Sequence, residues 1–159
     1  MPRLMIVYHS RTGNTKQMAE AVKAGAEEVK RVEVIMKPVA DTTPEDLLEA
    51  DGVIMGSPVY YGSMAAELKH LIDDSVRYHG QLSGKVGAAF ASSGNVGGGN
   101  ETTVLDILKA LLIHGMIVQG DSQGDHYGPV AISAPDTRAR EECRRLGKRT
   151  AELVKRLSA

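Results

Sequence analysis

Short apolar runs and longer amphipathic stretches alternate along the 159 residues of this chain. The apolar runs are rich in β-branched residues, too short for helices, and apolar at successive positions, which is typical of buried parallel strands. They lie at Leu4–Tyr8, Val32–Met36, Gly52–Gly56, Val86–Ala91 and Met116–Gln119, with Val130–Ser133 as a further candidate.

Apolar residues recur at helical spacing in the stretches between these runs. The spacing predicts helices over Asn14–Lys30, Met64–Tyr78, Thr102–Gly115 and Asp136–Leu157, and a short helix that begins at Thr43 with Pro44 in its first turn. The pattern places Val76, Leu105 and Leu112 on apolar helix faces. Cys143 lies on the apolar stripe of the last helix, so we expect a buried core thiol.

Strand and helix therefore alternate five times, an order that favours a parallel sheet with helices on both faces. We predict an α/β fold with a doubly wound five-stranded parallel sheet in the order 2-1-3-4-5. No linker, repeat or low-complexity tract interrupts the pattern, so we expect a single domain over residues 1–159.

Composition narrows the classes of function. The chain has 19 basic and 20 acidic residues, a net charge of −1, so no global field attracts nucleic acid. The basic residues of the last helix are interleaved with acidic ones and have no aromatic companions, which favours a solvated face. One cysteine excludes internal disulfides and cysteine-rich metal sites. No apolar run is long enough to span a membrane. We expect a cytoplasmic protein with no metal, nucleic-acid or membrane partner.

The loop after the first predicted strand is rich in hydrogen-bond donors. It comprises Ser10, Arg11, Thr12, Gly13, Asn14 and Thr15 and leads directly into a helix. A helix N-terminus offers unpaired N–H groups and partial positive charge, and the hydroxyl and amide groups add further donors. The loop predicts a cradle for a phosphate monoester. The alternative is a polar helix cap with a turn glycine.

Two further loops follow the third and fourth strands. The first contains Pro58, Val59, Tyr60, Tyr61 and Gly62; the second contains Ser92, Ser93, Gly94, Asn95, Val96, Gly97 and Gly98. A tyrosine of the first loop could stack on a flat ring, and the glycines of the second let backbone N–H groups approach a heterocycle. The alternatives are a tyrosine packed on a neighbouring helix and a mobile loop without a ligand.

The carboxyl ends of neighbouring parallel strands meet at one edge of a sheet, where ligands of such folds bind. A phosphate cradle, a stacking loop and a row of backbone donors together predict a site for a mononucleotide with a large flat ring. Flavin mononucleotide (FMN) fits this site. ATP does not fit it, because the chain has neither a P-loop lysine nor metal-binding carboxylates there.

The chain resembles the flavodoxin-like FMN-binding family. It is most similar there to the NAD(P)H:quinone oxidoreductases of the tryptophan-repressor-binding-protein type. The resemblance is carried by Ser10–Thr15, Gly56–Met64, Ala91–Gly99, Ile113–Met116 and Tyr127–Gly128. It implies that Ser10–Thr15 hold the FMN phosphate, that Val59–Tyr61 and Ser93–Gly98 border the flavin ring, and that His114 lies near the flavin, completed by a neighbouring subunit. The chain differs from those reductases in having no tryptophan, in having Thr12 where an aromatic residue is usual, and in lacking two insertions.

We therefore predict an FMN-dependent oxidoreductase that transfers electrons from NAD(P)H through bound FMN to a quinone or similar small acceptor. The cofactor carries the chemistry, so no catalytic side chain is certain. His114 and Tyr127, with His126, are candidates to orient an acceptor or supply a proton. The alternative is an electron-transfer flavodoxin serving protein partners, although such carriers usually depend on an acidic face. The broad apolar arc of the 102–115 helix predicts a homo-oligomer, with a dimer favoured.

Overall fold

Six strands form one parallel sheet in the computed structural model, which describes all residues from Met1 to Ala159. The strands are β1 (Arg3–Tyr8), β2 (Glu33–Pro38), β3 (Gly52–Pro58), β4 (Val86–Ser93), β5 (Ile117–Val118) and β6 (Val130–Ile132). The sheet follows the order β2-β1-β3-β4-β5, and β6 also pairs with β4. The predicted order 2-1-3-4-5 is confirmed.

The further candidate at Val130–Ser133 adds a sixth strand to the five predicted, because two short strands share the edge beside β4. β5 pairs with the beginning of β4, where Val86 lies opposite Ile117. β6 pairs with its end, where Ala91 lies opposite Val130. The segment 119–129 leaves the sheet between them and is held against the last helix by ion pairs of Asp121 with Arg145 and Arg149. Two separate apolar runs therefore occupy one edge position.

Five α-helices connect and cover the strands. They are α1 (Asn14–Ala26), α2 (Pro44–Glu49), α3 (Ala66–Asp74), α4 (Asn100–Ile113) and α5 (Thr137–Leu157). The predicted short helix begins as expected, because the Thr43 hydroxyl and the Asp46 carboxylate form a reciprocal capping box. Both α1 and α3 end earlier than predicted. No helix is long and apolar enough to cross a membrane.

The helices pack on opposite faces of the sheet, as predicted. Successive residues of β1 point to opposite faces, so Leu4 and Ile6 join the core beneath α1 and α5, and Met5 and Val7 join the core beneath α2, α3 and α4. Cys143 lies in the first of these cores, as expected. Burial raises the pKa of its thiol to about 12, which keeps the sulfur protonated and unreactive.

Glycines allow α1 and α5 to approach closely. A side chain at Gly25 would collide with the backbone carbonyl of Arg144, and one at Gly147 would collide with that of Val22. The two glycines therefore set the separation of the helices.

Three expectations about burial are wrong. The residues of β2 are only half-buried, because β2 lies at the edge of the sheet. Val76 is 71% exposed, because α3 passes into a 3-10 turn at Ser75–Tyr78 and the change of helical period rotates this residue out of the core. Leu105 and Leu112 are 38% and 56% exposed, because α4 buries a narrower stripe. That stripe consists of Thr103, Val104, Ile107, Leu108 and Leu111.

Candidate functional site

A cavity of about 510 Å³ opens at the carboxyl edge of the sheet. Its lining residues are Arg11, Thr12, Asn14, Thr15, Pro58, Val59, Tyr60, Ser92, Ser93, Gly94 and Ser133. The structure thus brings together residues of all three loops singled out in the sequence. Ser133 was not predicted. It follows β6, and its N–H donates to the Ser93 carbonyl across 2.7 Å, so its position depends on how β6 pairs.

The loop after β1 presents its donors around the beginning of α1. Gly13 has a φ of 99°, a left-handed conformation that glycine adopts without strain. Ser10 Oγ accepts from the N–H groups of Gly13 and Lys16 at 3.1 and 3.3 Å and so shapes the turn. The N–H groups of Asn14 and Thr15 have no acceptor within the helix. The loop therefore has the donors and the dipole to hold a phosphate.

Thr15 also ties this loop to the end of β4. Its Oγ1 lies 2.9 Å from Ser92 Oγ in a buried hydrogen bond. The contact fixes the first turn of α1 relative to the glycine-rich loop that follows β4.

Tyr60, which lines the cavity, begins a tight turn after β3. Tyr60 and Ser63 exchange backbone hydrogen bonds of 2.9 and 3.3 Å, and the two residues between them have positive φ. These angles, 50° at Tyr61 and 80° at Gly62, match a type I′ turn. The Tyr61 side chain is fully exposed, and Ser63 Oγ donates to the Asp106 carboxylate of α4 at 2.9 Å. The turn is held rigidly while its aromatic ring stays free.

The loop after β4 leaves room beside its backbone. A side chain at Gly94 or Gly97 would meet no atom within 4 Å. Ser93 Oγ donates to the Asn95 carbonyl at 2.9 Å, and Val96 at the tip is 85% exposed. Gly99 lies so close to Gly62 that a Cβ on Gly99 would be 3.2 Å from the Gly62 Cα. The two loops are therefore adjacent, with open space on the cavity side.

Charge in the cavity favours an anion. Arg11 is the one charged residue among the lining residues, and no carboxylate lines the cavity. No group of three or more histidine, cysteine, aspartate or glutamate side chains is arranged to hold a metal ion. A phosphate ester suits this distribution of donors and space if the ring that it carries lies between the turn at Tyr60–Ser63 and the glycine-rich loop.

His114 is not brought to this cavity within one chain. It follows the last residue of α4, whereas the glycine-rich loop precedes the first, so the 14 residues of the helix separate the two by about 20 Å. His114 Nε2 lies 2.7 Å from Ser75 Oγ, which itself donates to the Ile72 carbonyl, while the buried Nδ1 has no partner. Burial, with repulsion from His79, lowers the pKa of His114.

Tyr127 also lies outside the main cavity. It is half-exposed and, with His126 and Glu101, lines a separate depression of about 130 Å³. This depression lies beside the first turn of α4. Tyr127 therefore lies near the first turn of α4, which follows the glycine-rich loop.

Residues 3–124 match the family described as NADPH-dependent FMN reductase. The chain belongs to this family. The match covers all three loops and the strands that carry them, so the flavodoxin-like resemblance and the FMN-binding character of the family are confirmed.

Two similar proteins carry different names. The chain is 42% identical over 162 residues to a flavodoxin of Aquifex aeolicus, covering 97% of this chain and 88% of that protein. It is 34% identical over 191 residues to an NAD(P)H dehydrogenase (quinone) of Archaeoglobus fulgidus, covering 99% and 100%. That aligned span exceeds the length of this chain, so this relative carries insertions.

A solved structure agrees with the fold. The flavodoxin, WrbA-like protein of Agrobacterium tumefaciens superimposes with a TM-score of 0.82 at 27% identity, covering 98% of this chain and 99% of that one.

Proposed function

We propose that this FMN reductase homologue binds FMN at the carboxyl edge of its sheet and transfers electrons from NAD(P)H to a quinone or similar small molecule. The observation that carries the proposal is the convergence of three loops on one cavity of about 510 Å³, a size typical of cofactor pockets. The cavity is lined by donors of the loop after β1, by Tyr60 and by the backbone of Gly94.

The chain's own residues bind and orient the cofactor. Thr12 and the N–H groups of Asn14 and Thr15 hold the phosphate, Ser10 shapes the turn behind them, and Arg11 offsets the phosphate charge. The turn at Tyr60–Ser63 and the loop Ser93–Gly98 border the ring and exclude water from part of it. When bound, FMN supplies the capacity to accept hydride from a nicotinamide and to release electrons to an acceptor.

The two predicted catalytic candidates, Tyr127 and His114, differ in whether they can act at the site of their own chain. Tyr127, half-exposed beside the glycine-rich loop, can contact an acceptor that approaches from that side. His114 can take part only at the site of another copy, because α4 holds it away from the cavity of its own chain. Its role therefore depends on the homodimer that we propose below.

The apolar end of α4 supports the homodimer. Leu112 and Ile113 are 56% and 73% exposed, and large exposed apolar neighbours mark interaction sites. Leu112→Glu is expected to convert a dimer, measured by light scattering at micromolar concentration, into a monomer. Leu157→Glu, at a similarly exposed leucine of α5, is the matched control. A monomeric wild-type chain would refute the homodimer.

An electron-transfer flavodoxin is the second candidate, and the 42% identical flavodoxin of Aquifex aeolicus favours it. Its usual acidic docking face has little support here. In the segment 119–129, Asp121 pairs with Arg145 and Arg149, and Asp125 pairs with Arg138. The net charge of −1 leaves no strong field to steer a basic partner.

Anaerobic mixing distinguishes the two functions. Purified FMN-loaded protein is mixed with NADPH or NADH, and flavin absorbance is followed with and without a soluble quinone. We expect bleaching by a nicotinamide and return of the absorbance when quinone is added. Bleaching only by a reduced protein partner, with neither nicotinamide effective, would favour the flavodoxin.

A further inference from the structure

A second and larger cavity lies beside the candidate FMN site. It has a volume of about 670 Å³ and lies between α3 and the segment that joins β2 to α2. Val39, Pro44 and Leu71 form apolar walls, and the carboxylates of Glu67 and Asp74 lie along the α3 side. We call this cavity the α3 groove. None of its lining residues is among those of the candidate FMN cavity.

The α3 groove is continuous with the back of the phosphate loop. A depression of about 270 Å³ shares His9, Val39 and Ala40 with the groove and extends to Ser10, Gly13 and Lys16. The His9 ring meets the Tyr60 ring edge to face, with centroids 6.2 Å apart. His9 and the loop after it therefore form a shared wall, with the candidate FMN cavity on one side and the groove on the other.

Charges are arranged in order along this path. Arg11 on the FMN side and Lys16 on the groove side form no ion pair within the chain. Glu67 lies 3.7 Å from His9 Nε2 at this wall, whereas Asp74, further along α3, lies 3.3 Å from His70 Nε2. A ligand that fits this order has an anionic centre near the loop and a flat apolar group with hydrogen-bond donors beyond it.

We propose that the α3 groove binds the adenosine diphosphate half of NAD(P)H. The diphosphate lies near Lys16, the adenine ring lies between the apolar walls, and the adenine amino group donates to the Asp74 carboxylate. In this position the dinucleotide passes over His9, and its nicotinamide half is directed to the FMN cavity. This inference rests on the proposed function, since it assigns a place to the donor.

The probe is ADP, which contains this half of the dinucleotide and cannot reduce flavin. ADP is titrated into FMN-loaded, isotope-labelled protein, and amide shifts are followed by NMR. We expect shifts at Lys16, Ala40, Thr42 and the residues of α3. Shifts confined to other surfaces, or no shifts at millimolar ADP, would overturn the inference.

Two neighbouring aspartates supply a matched pair of variants. Asp74 lines the groove and pairs with His70, whereas Asp73 lies outside it and pairs with Lys69, each partner four residues earlier on α3. Asp74→Asn is expected to weaken ADP about tenfold, the effect of one hydrogen bond to a charged group. Asp73→Asn is expected to leave ADP affinity unchanged. Equal effects of the two variants would overturn the inference.

A third variant blocks the path without touching the core. Ala40 is exposed and is shared by the groove and the adjoining depression. Ala40→Trp is expected to abolish ADP binding and raise the KM for NADPH, while FMN affinity and kcat stay unchanged. Flavin bleaching by NADPH with an unchanged KM in this variant would refute the groove and leave the proposed function standing. ADP binding in the groove without any bleaching would refute the proposed function and leave the groove as a nucleotide site.

Discussion

Thr15 Oγ1 and Ser92 Oγ form a buried hydrogen bond of 2.9 Å that joins the first turn of α1 to the end of β4. The bond links residues 77 positions apart in the sequence, and these residues belong to two of the three loops that line the candidate FMN cavity. The arrangement of the phosphate cradle relative to the glycine-rich loop depends directly on this contact.

Thr15→Val removes the contact while keeping the shape of the side chain. A buried hydroxyl left without its partner costs about 1 kcal/mol, so the free energy of unfolding is expected to fall by about that amount. FMN affinity is also expected to fall, because the two loops lose their fixed separation. Urea denaturation of the FMN-free protein and an FMN titration measure the two effects. An unchanged FMN affinity would show that the contact serves stability alone.

Tyr61 is expected to contribute to flavin affinity and not to the stability of the FMN-free fold. Its side chain is fully exposed, and offset stacking of an aromatic ring contributes about 1 kcal/mol. Tyr61→Ser is expected to weaken FMN roughly fivefold. Tyr61→Phe is the control and should retain wild-type affinity. If both variants match the wild type in an FMN titration, the ring does not contact the flavin.

Because α1 and α5 approach closely, adding a single methyl group between them is expected to lower the free energy of unfolding. Gly147→Ala places a Cβ against the Val22 carbonyl, and overpacking of this kind costs about 1–3 kcal/mol. Gly120→Ala is the matched control, because its nearest neighbour would be a carbonyl oxygen 4.0 Å away. Thermal or urea unfolding compares the two. Equal stability of both variants would contradict the packing described for the two helices.

His114 predicts a pH dependence of stability. Burial and the nearby His79 lower the pKa of His114 in the folded chain, whereas the unfolded chain has the ordinary value of 6.5. The unfolded chain therefore takes up this proton at a higher pH than the folded chain. The stability that the neutral ring contributes is fully present above the unfolded pKa of 6.5 and is lost as the pH falls through the lower, folded pKa.

His114→Gln removes this titration. As the pH falls from 7.5 to 5, the free energy of unfolding of the variant is therefore expected to rise relative to that of the wild type. Urea denaturation at both pH values measures the difference, and an NMR titration of the His114 ring locates its pKa. A stability difference that is constant with pH would contradict the assignment.

The strand order and the FMN-side loops could be predicted because they depend on local patterns and one general rule. Apolar runs identify the strands, and the carboxyl ends of neighbouring parallel strands meet at one edge, so Thr15 and Ser92 were expected near each other. Other features depend on contacts that periodicity does not encode. Ser133 joins the cavity only because β6 shares an edge position with β5, and Val76 leaves the core because α3 tightens into a 3-10 turn.

His114 and the α3 groove show a second limit of prediction from the sequence. The resemblance placed His114 near a flavin, but the length of α4 separates it from the cavity of its own chain. The groove combines residues of the β2–α2 segment with residues of α3, and neither segment carries a recognisable motif. Only the tertiary structure shows that His9 lies between this groove and Tyr60.

The most direct test of the account is a titration of FMN into the FMN-free protein, followed by flavin absorbance and fluorescence. We predict one FMN per chain, a shifted visible band, quenched fluorescence beside Tyr61, and a Kd below about 10 μM. Arg11→Gln should weaken this binding, because Arg11 is the one charged residue that lines the cavity. No spectral change at FMN concentrations well above this value would contradict the central claim that the three loops form a flavin site.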